Sequence, residues 1–192
     1  MQKGFTLIEL LVSVGIFTVV MVIALGALLS IAESDRKAQT LKTVTNNLNF
    51  ALDSMSRTIR IARDYDCNSG GDCTTGAGSF MFRATNGNLW GYRWESSACV
   101  NTLGCIQRTT DAGASWEDIT APEVVVLNCG IVVTGACTPG TRGLTFYLFG
   151  STQADAYQPR LIVTLQGYVQ QSTSMRSHFH LQTTITQRLY DQ

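Results

Sequence analysis

A hydrophobic run of membrane length begins at Leu10 and reaches Ala32 with no charged residue inside it. Its 23 positions make a helix of about 34 Å, enough to cross a bilayer core. No Pro occurs before Pro122, and Gly15 and Gly26 are the only glycines between Phe5 and Asn68. One carboxylate, Glu9, stands at the start of the run. A carboxylate beside hydrocarbon costs several kcal/mol unless it has a partner. A secretory signal peptide has a shorter apolar core followed by a small-residue cleavage site. Here the run is longer and passes into a helical pattern without a break. A soluble helix is rarely apolar on every face for this length.

The residues ahead of and within this run, Lys3-Gly4-Phe5-Thr6-Leu7-Ile8-Glu9-Leu10-Leu11-Val12, resemble the processing and N-methylation motif of type IV pilins and type II secretion pseudopilins. The match has no gap. The resemblance implies cleavage after Gly4 by a membrane-embedded prepilin peptidase and methylation of the new terminus at Phe5. It also implies that Glu9 pairs with the terminal amine of a neighbouring subunit during assembly. Two charges that are unfavourable singly in lipid become tolerable as a pair. The resemblance further implies an α+β pilin fold, with a long N-terminal helix packed on an antiparallel β-sheet domain.

The rest of the chain leads to the same fold class on its own pattern. Leu41, Val44, Leu48, Leu52, Met55, Ile59 and Ala62 recur at gaps of three and four, which places them on one helix face. One continuous helix is expected from near Phe5 to about Arg63, with its second half laid against a sheet. The stripe lasts only about three heptads, which favours sheet packing over a coiled coil. The segment 64–78 is rich in Gly, Asp and Thr and reads as loop. Phe80–Thr85 and Leu89–Glu95 flank Asn86-Gly87-Asn88, a strong hairpin signal. Ile106–Thr109, Trp116–Ile119, Glu123–Leu127, Ile131–Thr134 and Leu144–Phe149 are short β-rich runs. Strict alternation marks strands through Leu161, Val163 and Leu165, and through Phe179, Leu181, Thr183 and Ile185. A helix followed by antiparallel strands is an α+β arrangement. The expected division is a leader at 1–4, a transmembrane or filament-core helix at 5–32, an amphipathic helix at 33–64, and a disulfide-containing β-rich domain at 65–192.

All six cysteines follow residue 66. An even count in an exported domain reads as disulfides in an oxidising compartment. Of fifteen connectivities, the sequential pairs Cys67–Cys73, Cys99–Cys105 and Cys129–Cys137 are favoured, since each brackets a Gly- or Asn-containing loop. Their spacings do not match the usual zinc knuckle, so no metal is expected. His178 and His180 share one strand face, but no acidic residue or third His lies near them in sequence, and they read as surface residues. The stretch Asp64–Gly70 begins like a calcium loop, yet Ser69 and Thr75 stand where an EF-hand needs Gly and Glu. Thr109-Thr110-Asp111-Ala112-Gly113-Ala114-Ser115-Trp116 resembles the Asp-box, a hairpin-stabilising motif. In it Asp111 would hold the turn, Gly113 would take a positive φ, and Trp116 would pack beneath. Trp90, Tyr92 and Trp94 alternate on one strand and read as core or subunit contact.

No nucleophile elbow, P-loop, dinucleotide fingerprint or HExxH motif occurs. The chain is therefore expected to be no enzyme and to need no cofactor. With 14 basic and 14 acidic residues and zero net charge, it gives no electrostatic footprint for nucleic acid. The resemblance implies other pilin or pseudopilin subunits, prepilin peptidase, an inner-membrane assembly platform and, before assembly, membrane lipid as partners. It implies a single-pass inner-membrane protein with an extracytoplasmic C-terminal domain, later moved into a filament. A minor subunit is expected. The Pro that major pilins commonly carry at the place of Gly26 is missing, and Met55–Ala62 resembles the helix end of J/W-type minor subunits. The alternative is a membrane-anchored extracytoplasmic binding module that is never assembled.

Overall fold

A helix with neither Pro nor an internal break dominates the secondary structure: α1 spans Leu7–Arg60, 54 residues. The computed structural model describes residue 4 and residues 6–67, 70–127, 143–151, 158–172 and 175–188. The chain forms two units, Met1–Lys42 and Thr43–Gln192.

In the first unit α1 opens on the Thr6 carbonyl, which accepts the Glu9 and Leu10 amides at 3.1 and 3.2 Å. Within the apolar run the hydroxyls fold back on the helix. Ser13 donates to the Glu9 carbonyl at 2.8 Å and Thr18 to the Val14 carbonyl at 2.6 Å. This hides two polar groups that would otherwise meet an apolar solvent. The segment is long and apolar enough to cross a membrane, and none of its most apolar stretch is buried within the chain.

Among the described residues, the second unit holds the rest of α1 and ten strands. These are β1 Arg63–Asp66, β2 Cys73–Ala77, β3 Ser79–Arg83, β4 Leu89–Glu95, β5 Cys105–Thr109, β6 Glu117–Asp118, β7 Val124–Val126, β8 Leu144–Phe149, β9 Arg160–Ser172 and β10 Met175–Thr186. One antiparallel sheet has the order β1-β3-β4-β5-β6. The other has the order β10-β9-β8-β2, and β7 pairs with the stretch of β9 beyond β8. The fold is α+β, as the sequence pattern predicts.

Strand alternation explains the core. Phe80 and Phe82 of β3, Leu144, Phe146 and Leu148 of β8, and Leu161, Val163 and Leu165 of β9 are all buried, each set on one face of its strand. Phe80 lies 5.6 Å from Phe146 between ring centroids, so aromatic packing joins the two sheets. Val44, Leu48, Met55 and Ile59 of α1 belong to the same core. The Asn47 side chain accepts the Ala121 amide at 3.2 Å and ties this stripe to the loop before β7.

Three expectations are corrected here. Leu41 is exposed, while Ala51 is buried: Ala51 stands three residues after Leu48 and four before Met55 on the buried face, whereas Leu41 precedes Val44, the first buried residue of the helix. The segment 64–78, read as loop, contains parts of β1 and the whole of β2. Both lack apolar alternation because they are edge strands, held by backbone pairing to β3 and β8. The helix ends at Arg60 rather than near Arg63. The strand expected at Ile131–Thr134 lies outside the described residues.

The last two carbonyls of the helix are engaged by groups beyond it. A helix leaves its last carbonyls without intrahelical donors. Here the Ile59 carbonyl accepts the Ala62 amide and the Tyr65 hydroxyl, and the Arg60 carbonyl accepts the Arg188 amide at 2.8 Å. Just beyond, the Gln187 side chain donates to the Ala62 carbonyl at 2.9 Å. Arg57 and Arg60 in the last turn complement the helix dipole.

Candidate functional site

The candidate site is the start of α1. Gly4 is exposed, and Phe5 lies outside the described residues. Glu9 sits in the first turn of the helix, where a carboxylate interacts favourably with the helix dipole. Its side chain is exposed and has no hydrogen-bond or ion-pair partner among the described residues. Around it Leu7, Ile8, Leu10 and Leu11 are all exposed. A carboxylate set in an uncovered apolar surface offers a strong, directional contact to a cation arriving with an apolar partner.

The disulfides lie in the second unit. Cys67 is bonded to Cys73 and Cys99 to Cys105. The pair Cys129 and Cys137 lies outside the described residues. The Cys99–Cys105 loop is pinned from inside. The Asn101 side chain donates to the Gly104 and Val124 carbonyls at 3.1 and 2.8 Å and accepts the Leu103 and Gly104 amides. A Cβ on Gly104 would meet the Val126 carbonyl oxygen at 2.1 Å, so only glycine fits this close approach. Cys99, Cys105 and Asp118 converge, but the S–S bond consumes both thiolates that a metal would need.

Sequence reasoning missed two carboxylate clips, for which no motif exists. Asp72 accepts the Gly150 and Ser151 amides at 2.8 and 2.7 Å and the Ser151 hydroxyl at 2.7 Å. Partial burial pushes its pKa up, but these three donors outweigh burial and hold it below the usual range. Glu95 accepts the Ser96 and Ser97 amides and the Ser97 hydroxyl at the entry to the Cys99 loop. Led by the Ser96 amide, these bonds depress its pKa.

The Asp-box residues form a turn between β5 and β6. Asp111 accepts the Ser115 hydroxyl, the Ser115 amide at 2.9 Å and the Thr109 hydroxyl at 2.7 Å. These bonds, the Ser115 hydroxyl first, lower its pKa to about 2. Gly113 has φ +91° and Trp116 donates its indole N–H to the Gly113 carbonyl at 3.1 Å. The Arg93 guanidinium covers the Trp116 ring at 4.1 Å. This is scaffold chemistry: every oxygen of Asp111 is engaged in the turn.

Other singled-out residues are spread over the domain. His178 and His180 are exposed on β10, with the His178 ring 5.7 Å from Tyr168. Tyr92 is buried, and Trp90 and Trp94 pack against the core. Asp64 pairs with Arg83 at 2.8 Å, and Asp66 accepts the Gly70 amide at 3.0 Å. Both carboxylates of that stretch therefore serve local structure.

Residues 1–25 match the family model described as the prokaryotic N-terminal methylation motif. The match supports a relation to type IV pilins and pseudopilins, the class whose N-termini prepilin peptidases process. No curated protein and no solved structure matches the chain.

Proposed function

We propose that this chain is a structural subunit, a minor one, of a type IV pilus or related pseudopilus. The observation that carries the proposal is the sequence Gly4-Phe5 followed by Glu9 at the head of an uncovered apolar helix, within a segment that matches the methylation motif. In this reading prepilin peptidase cuts after Gly4 and Phe5 is methylated. The helix first anchors the chain in the inner membrane, with residues beyond it extracytoplasmic. An assembly platform then transfers the chain into a filament, where apolar helices cover one another. Glu9 takes the terminal amine of a neighbouring subunit, which supplies the partner its carboxylate lacks. The absence of Pro at Gly26 and the helix end Met55–Ala62 favour a minor, J/W-type role. Disulfides at Cys67–Cys73 and Cys99–Cys105 fit an oxidising compartment.

The test is the mass of the N-terminus in cells with and without the prepilin peptidase. A chain beginning at methylated Phe5 only when the peptidase is present is the expected result. An intact Met1 in both backgrounds would sink the proposal and favour a membrane-anchored binding module, whose anchor never leaves the bilayer.

A further inference from the structure

Net charge is zero for the chain as a whole, but guanidinium groups gather where α1 ends. Arg57 and Arg60 occupy its last turn, Arg63 opens β1, and Arg188 donates its amide to the Arg60 carbonyl. Arg83 of β3 is the direct cross-strand partner of Arg63. Directly opposed residues of an antiparallel pair share a face, and like charges there repel. Asp64 relieves Arg83 at 2.8 Å, and Asp53 pairs with Arg57 at 3.4 Å. Arg60, Arg63 and Arg188 have no carboxylate partner among the described residues.

Arg63 and Arg83 line one pocket of about 380 Å³, together with Ile61, Ala84, Thr85 and Gly87. Asp64 and the Gly87 carbonyl hold the Arg83 side chain in place, at 2.8 and 3.0 Å. The pocket is thus lined by the unpaired Arg63, by Arg83 already paired with Asp64, and by Ile61, Ala84 and Thr85. Its volume falls in the range that takes small ligands. A planar carboxylate matches the guanidinium fork, while a hydroxylated ring would lay its C–H face on Ile61 and Ala84 and meet Thr85. Among the described residues no aromatic ring lines the pocket, so they supply no stacking platform of the kind used for single-stranded nucleic acid. Three unpaired charges also make a short footprint for a phosphodiester backbone.

We infer that the Arg63–Arg83 pocket is a binding site for a carboxylated saccharide. It does not depend on whether the chain enters a filament. The test uses the full chain in non-ionic detergent with trigalacturonate as the probe, at physiological ionic strength. Binding is expected, and Arg63→Gln should weaken it about tenfold, with Arg63→Lys in between because it keeps charge without the fork. Arg36→Gln removes the same charge from an exposed helix position and should leave binding unchanged. Circular dichroism checks that each variant is folded. Three outcomes overturn the inference: no measurable binding, equal binding of the methyl-esterified oligomer, or equal loss in Arg36→Gln. Displacement of the probe by a short oligonucleotide at equal charge concentration would also overturn it, by showing a general polyanion surface.

Discussion

Between Leu10 and Ala32, α1 turns apolar side chains outward on every face, whereas between Val44 and Ile59 it gathers most of them into a buried stripe and leaves Phe50 exposed. The backbone is helical in both stretches, so the difference lies in what covers the side chains. The downstream stripe is covered by strands of its own chain: Phe80, Phe82, Phe146 and Leu165 complete one core with Met55 and Ile59. The upstream stretch is apolar all round and must be covered by lipid or by other helices. Stability downstream is therefore a property of the chain, and upstream it is a property of the surroundings. Perturbations of the two regions should separate accordingly.

The largest effect on folding is expected from Phe146→Ala. Phe146 is fully buried and touches the other sheet through Phe80, so truncation should cost about 3–5 kcal/mol. Denaturant titration followed by near-ultraviolet circular dichroism measures this. Helicity of the detergent-bound N-terminal stretch should survive; its loss would mean the two regions fold as one.

Next comes the double substitution Cys99→Ser with Cys105→Ser. Opening so short a loop should cost about 2 kcal/mol, read as a lower denaturation midpoint at unchanged slope. An unchanged midpoint would show that the Asn101 and Glu95 bonds hold the loop without the bridge.

A smaller, pH-dependent effect is expected at Asp111. Its pKa in the fold is about 2, against 3.8 unperturbed. A depressed carboxylate contributes stability that is complete above the unfolded value and is lost as protons bind in the fold. The melting temperature should therefore fall between about pH 4 and pH 2, a window set by those two values. Asp72 and Glu95 act in the same direction. Asp111→Asn should flatten part of that slope, and an identical profile would remove Asp111 from the account.

No effect on folding is expected from Glu9→Val, which should insert in membranes normally and leave the melting temperature unchanged. Its whole effect should appear as reduced incorporation into filaments, measured by immunoblotting sheared or purified filaments. Normal incorporation would break the pairing role and leave the upstream stretch a plain anchor.

Sequence pattern reveals much of this comparison. The apolar run, the three-and-four spacing and the period-two strands report burial directly, because each needs only local geometry. The hairpin at Asn86-Gly87 was likewise legible: the Ala84 amide bonds to the Asn88 carbonyl and Gly87 takes φ +83°. The edge strands β1 and β2 were not, since their pairing depends on β3 and β8 rather than on their own side chains. The exchange of Leu41 for Ala51 was not legible either: periodicity does not say that cover begins only at Val44, and Ala51 is too small to mark an apolar stripe. Asp72 is invisible for the same reason, because its partners Gly150 and Ser151 lie 78 and 79 residues away. At the candidate site, the motif at Gly4, Phe5 and Glu9 was readable at once, being contiguous. The Arg63–Arg83 pocket was not, since it needs the register of two strands.

The closure of the helix end carries a kinetic consequence. The bond from Gln187 to the Ala62 carbonyl spans 125 residues, and the Arg60 carbonyl waits on Arg188 in the same way. A ribosome delivers the helix long before it delivers β10. During that interval the helix end has only local donors and water, and β9, at the heart of its sheet, has one edge bare. Native closure so distant in sequence is slow to find, and a bare strand edge invites pairing with other chains. The nascent domain is thus open to misassociation until β10 arrives, and over that interval a holding chaperone would have an edge to protect.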